Sequence, residues 1–110
     1  MAYIAKITDE ELPTWLSENR LMLWTLRALR DRGDRAGLDA LYERLGEVLR
    51  IPEDLLWLEY PPEAEQEGPV VRHRMQFALT DLGFLGLVHT DNKGTWSLLD
   101  EGADFLKPLD

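Results

Sequence analysis

Residues 87–98 constrain this chain more than any other stretch. Leu87, Val88, His89 and Thr90 read as a short strand, Asp91, Asn92, Lys93 and Gly94 as a tight turn, and Thr95, Trp96, Ser97 and Leu98 as the returning strand. A lone two-stranded hairpin is marginal in water, so it must lie on something apolar. What precedes it supplies that surface: Val71, Met75, Ala78, Leu79 and Leu82 recur at helical spacing and predict a helix from about Val70 to about Phe84, ended by Gly86.

Two earlier stripes predict two further helices. Between Trp15 and Arg32, Met22, Leu23, Leu26 and Leu29 form an apolar row, with Arg20, Arg27 and Arg30 off it. Gly33 and Asp34 then stop one element and can cap the next, in which Leu38, Leu41, Tyr42, Leu45, Val48 and Leu49 repeat over three turns. From Ile51 to Pro69 the pattern breaks. Pro52 suits the first turn of a short helix carrying Leu55, Leu56 and Leu58, and Pro61, Pro62 and a carboxylate-rich run follow. The tail from Asp100 to Leu106 predicts a last helical turn or two, with Phe105 and Leu106 available to close the core.

The expected fold is therefore mainly α (α+β): a winged helix-turn-helix with three core helices and a C-terminal two-stranded wing. Residues 1–13 read as an N-terminal arm and 14–110 as the domain, with 51–69 as a connection holding a short helix and an acidic loop. At 110 residues the chain suffices for one core. No apolar run approaches the ~20 residues of a membrane span, and Met1 to Thr8 lacks the features of a secretory signal. The absence of cysteine excludes disulfides and thiolate chemistry, which makes a cytoplasmic setting the expectation.

Charge narrows the partners. The formal net charge is −9, which repels a phosphate backbone. Its distribution is uneven: residues 9–67 hold seven Lys and Arg against fifteen Asp and Glu, whereas residues 68–99 hold three against two. Only the C-terminal third offers an anion-facing surface. On the helix over 70–84, His73, Gln76, Thr80 and Gly83 fall opposite the apolar stripe, flanked by Arg72 and Arg74. Gln pairs with adenine, Arg with guanine or phosphate, and Thr meets a pyrimidine methyl, so this face suits a major groove, although any solvated helix face has a similar composition. Asn92 and Lys93 serve the turn and add a phosphate contact, and His73 would gain charge toward pH 6 and strengthen such contacts.

Catalysis finds little support. Asp9, Glu10, Glu11 and Glu63, Glu65, Glu67 lie in irregular segments and read as solvated charge. His73 and His89 lack the spacing of a metal motif, and Ser17 and Ser97 lack a nucleophile's context. No catalytic residue, metal ligand or cofactor is predicted. The expectation is a non-enzymatic domain.

Arg74, Phe77, Ala78, Leu82, Gly86, Leu87 and Val88, then Gly94, Trp96, Glu101 and Gly102, resemble the signature of the N-terminal domain of the Mrr restriction-system family. Leu23, Leu26 and Leu29, and the stretch Leu38 to Gly46, are similar to it as well. Leu99 and the acidic run from Glu63 to Glu67 depart from the pattern. The resemblance implies a winged helix that recognises modified double-stranded DNA, its third helix in the major groove and its wing on the backbone, serving a separate nuclease or other effector domain.

A rival reading is a protein-interaction or dimerisation module. Leu55, Leu56, Trp57, Leu58 and Tyr60 are richer in apolar and aromatic residues than a connection needs. Leu55, Trp57, Tyr60 and Phe77 are the expected interface, open to a homodimer. Phe77 is expected to pack under this segment or in a dimer contact in preference to stacking on a base.

Overall fold

The computed structural model describes residues 18–109. The expected arm over 1–13 and the start of the first helix at Trp15 lie outside the described residues. In chain order the elements are α1 (Glu18–Asp31), β1 (Arg35–Gly37), α2 (Leu38–Leu49), α3 (Glu53–Leu56), α4 (Val70–Phe84), β2 (Val88–Thr90), β3 (Thr95–Leu98) and α5 (Asp100–Leu106), closed by a 3-10 turn over Lys107–Leu109. The described residues thus form a mixed α/β unit of five helices and one small antiparallel sheet. This order is compatible with a winged helix.

One core serves all elements. Leu41 and Leu45 of α2 belong to one buried cluster with Met75, Leu79 and Leu82 of α4, and Trp96 packs against that cluster from the sheet. Helix α1 is central, contacting α2, α4, α5 and the sheet, which explains a wider buried arc than its sequence stripe predicts. Leu21, Thr25, Leu26, Ala28 and Leu29 are fully buried, whereas Met22 and Leu23 are only half-buried. Of the two tail residues expected to close the core, Leu106 does so and Phe105 stays 51% exposed.

The sheet corrects the sequence reading. The hairpin is not two-stranded but gains β1 on its outer side, giving the order β1-β3-β2. Ala36 pairs with Trp96 and Arg35 with Ser97, while across β3 Thr90 pairs with Trp96 and His89 with Ser97. Side-chain alternation therefore puts Ala36, Val88, Thr90, Trp96 and Leu98 toward the helices and Arg35, His89 and Ser97 on the outer face. A second correction concerns Asp34, which does not cap α2. It adopts a left-handed φ of 69° after Gly33, and its N–H closes the end of α1 on the Leu29 carbonyl, while Gly37 occupies the N-cap of α2.

Helix α4 ends as the Gly86-Leu87 pair predicts. Gly86 takes φ +76°, its N–H bonds the Gly83 carbonyl, and the Leu87 N–H bonds the Leu82 carbonyl. This Schellman closure satisfies the last helical carbonyls and turns the chain directly into β2. The recognition-helix candidate and the hairpin are thereby held side by side.

Candidate nucleic-acid interface

Helix α4 buries Val70, Val71, Met75, Ala78, Leu79 and Leu82, which leaves Gln76, Phe77, Thr80, Gly83 and Phe84 on its exposed side. Because the chain reverses at Gly86, the C-terminal half of that side faces the hairpin. Thr80, Gly83 and Phe84 line a groove together with His89, Thr90, Asn92 and Trp96. No carboxylate lines this groove. The Thr80 hydroxyl donates to the Gln76 carbonyl at 3.0 Å, which fixes its rotamer and leaves its oxygen able to accept.

The tip of the hairpin is ordered by its own polar groups. The Asp91 carboxylate accepts hydrogen bonds from the backbone N–H groups of Lys93 (2.7 Å) and Thr95 (3.0 Å), and the Thr90 hydroxyl oxygen accepts from the Asn92 N–H (3.1 Å). The backbone bonds from Lys93 and Thr95 hold the Asp91 carboxyl below its ordinary range, with a smaller contribution from the Arg35 charge. Asn92 takes φ 60° and Gly94 φ 94°, the left-handed pair that this turn requires. Its carboxylate turned onto backbone, the tip presents Asn92 and Lys93 to solvent.

The cations of α4 and of the sheet differ in what holds them. Arg72 points toward α2 and bonds Asp39 at 2.6 Å, away from the hairpin groove. Arg74 lies close enough to Tyr60 and His73 to influence both. Lys93 and Arg35 are exposed and make no ion pair among the described residues. Arg35, beside Ser97 and His89 on the outer sheet face, escaped the sequence reading because a three-residue strand shows no alternation. His89 was legible as the outward neighbour of Val88. Phe84, 85% exposed, could have been found only by noticing that it falls outside the apolar stripe of α4.

His73 is less available than a surface histidine. Its Nδ1 lies 2.8 Å from the Tyr60 hydroxyl, and its ring sits between those of Tyr60 (5.6 Å) and Phe77 (4.6 Å). Burial, and secondarily the Arg74 charge, lower its pKa below 6.5. The pH-dependent phosphate contact expected from the sequence is therefore displaced to lower pH. Burial also raises the Tyr60 pKa, against a smaller opposing effect of Arg74.

The four expected interface residues separate into two places. Tyr60 and Phe77 join through His73. Trp57 instead sets its ring edge-on to Tyr42, 6.4 Å between centroids, and stays 56% exposed, while Leu55 is half-buried against the core. Among the described residues no three His, Asp or Glu side chains gather as a metal site would require, and no helix is long and apolar enough to cross a membrane.

Comparison with known proteins identifies a family. The family model described as the Mrr N-terminal domain covers residues 19–108, nearly the whole described chain. Neither a curated protein nor a solved structure matches significantly.

Proposed function

We propose, on the premise that this chain belongs to the Mrr N-terminal domain family, that it is a winged-helix reader of double-stranded DNA in a restriction system. The observation that carries the reading is the groove shared by α4 and the hairpin, lined by Thr80, His89, Thr90 and Asn92 and free of carboxylates on a chain of net charge −9. Helix α4 enters the major groove with Gln76 and Thr80 toward base edges. Gln76 offers its amide to an adenine, and Thr80 offers an acceptor oxygen and a methyl suited to thymine or 5-methylcytosine. The hairpin lies along the backbone, where Lys93 and Arg35 meet phosphates and Asn92 adds a neutral donor. The domain contributes recognition, and cleavage belongs to a separate nuclease or effector domain.

Few free cations serve this surface, so affinity falls with salt along a shallow slope. Duplex binding by the parent and by an Arg35→Ala, Lys93→Ala double variant, at two salt concentrations and on methylated and unmethylated duplexes, tests the assignment. The double variant is expected to bind all duplexes more weakly and with a salt slope reduced by about 2. Undetectable binding by the parent, or binding that neither salt nor the double variant changes, overturns it.

A further inference from the structure

We infer that the groove between α2 and α3 receives an arginine or lysine side chain from a basic segment of a partner protein. The inference does not rest on the DNA reading, since this groove shares no lining residue with the one beside the hairpin. Tyr42, Gly46 and Leu56 form its floor and Trp57 its wall. The floor is built before any partner arrives. The Tyr42 hydroxyl donates to the Leu56 carbonyl at 2.8 Å, tying α3 to α2, and Gly46 allows the close approach, since a methyl there would lie 3.1 Å from Leu56 Cδ1. Burial pushes the Tyr42 pKa well up, so the phenol stays a neutral donor.

Charge complementarity selects the occupant. Asp39, Glu43 and Glu47 line the groove, against one cation, Arg72. Glu43 and Glu47 reach Arg32 only at 3.6 and 3.7 Å, Glu47 reaches Arg44 at 3.6 Å, and their side chains remain 72% and 53% exposed. Such loose surface pairs exchange partners at little cost. An aromatic wall beside an acidic rim matches a long aliphatic stem ending in a cation: the stem covers the Trp57 ring and the head meets carboxylates. Arg72 already shows that a carboxylate of this groove takes a guanidinium, since it lines the groove with its head on Asp39. A phosphate backbone would meet the same carboxylates as repulsion.

The test titrates the isotopically labelled chain with the capped peptide acetyl-Gly-Leu-Arg-Leu-Gly-amide and with its citrulline counterpart, which keeps the shape and removes the charge. The arginine peptide is expected to shift the Trp57 indole and Gly46 amide signals, with affinity falling as salt rises. Trp57→Ala should weaken it about tenfold, Trp57→Phe by less, and a Glu43→Gln, Glu47→Gln double variant several-fold. Retained dispersion of the amide spectrum separates loss of the groove from loss of the fold. Equal binding of the two peptides, shifts confined to other elements, or no shift at millimolar peptide overturns the inference. Self-association that Trp57→Ala abolishes, without preference for arginine over citrulline, overturns it too and gives the groove to a second copy.

Discussion

The groove beside α3 and the groove beside the hairpin differ by what their helices carry outward. Helix α2 buries Leu41, Tyr42 and Leu45 and lines its groove with Asp39, Glu43 and Glu47. Helix α4 buries a similar stripe yet turns Thr80 and Gly83 into the groove beside the hairpin, whose lining holds no carboxylate. Net charge is thus a poor guide to what an acidic domain binds. The −9 is concentrated along the first two-thirds of the sequence, and the fold keeps it out of one groove. Each groove also has one exposed aromatic: Trp57 stands with the carboxylates, and Phe84 beside Thr80, Thr90 and Asn92.

The largest effect should come from the core that both grooves share. Leu79 is fully buried in that core, and Leu79→Ala should cost about 2–5 kcal/mol, read as a lowered denaturant midpoint. Both grooves then fail together, in duplex and peptide titrations alike. Loss confined to one groove would mean that the two are not built on a single core.

A smaller effect separates the grooves. Gln76→Ala or Thr80→Ala should change preference among duplex sequences by about 1–3 kcal/mol while leaving the arginine peptide unaffected. Trp57→Ala should do the reverse. Competition binding on a panel of duplexes, paired with the peptide titration, measures both arms. A Trp57→Ala variant that loses duplex binding would erase the distinction.

Legibility in the sequence followed the length of the signal. Helix α4 and strand β3 are as expected because a stripe over fifteen residues, or an alternating run next to an Asn-Lys-Gly turn, leaves one solution. Strand β1 was hidden, since Arg35, Ala36 and Gly37 pair only with β3, far along the chain. Gly102 shows what a resemblance without geometry lacks. It is part of the family pattern, and the structure gives the reason: a methyl at this position would overlap the Leu87 carbonyl oxygen and come within 2.7 Å of Leu98 Cδ1, so only glycine lets α5 close on the hairpin. The site was legible as a set of residue types but not as a set of partners. Nothing local to Arg72 shows that Asp39, a helix away, takes its guanidinium, and nothing local to His73 shows Tyr60.

The smallest expected effect concerns His73, on the N-terminal half of α4, and follows from the direction of its shift. Burial, then the Arg74 charge, lower its pKa below 6.5 in the folded chain, whereas in the unfolded chain it returns to about that ordinary value. Between the two values the unfolded state binds more protons, so stability rises with pH across this window. The contribution is complete above the unfolded value and is lost as pH falls through the folded one. Denaturant unfolding at pH 7.5, 6 and 5 should therefore show a modest decline toward acid that His73→Gln reduces, and Arg74→Ala should raise the His73 pKa in an NMR titration. For the hairpin groove the consequence is a muted response: His73 charges at lower pH than an ordinary histidine, so between pH 7.5 and 6 the parent should gain little more duplex affinity than His73→Gln. A gain present in the parent and missing in His73→Gln would show that this histidine charges against phosphate despite its burial, and would extend the DNA-facing surface to the start of α4.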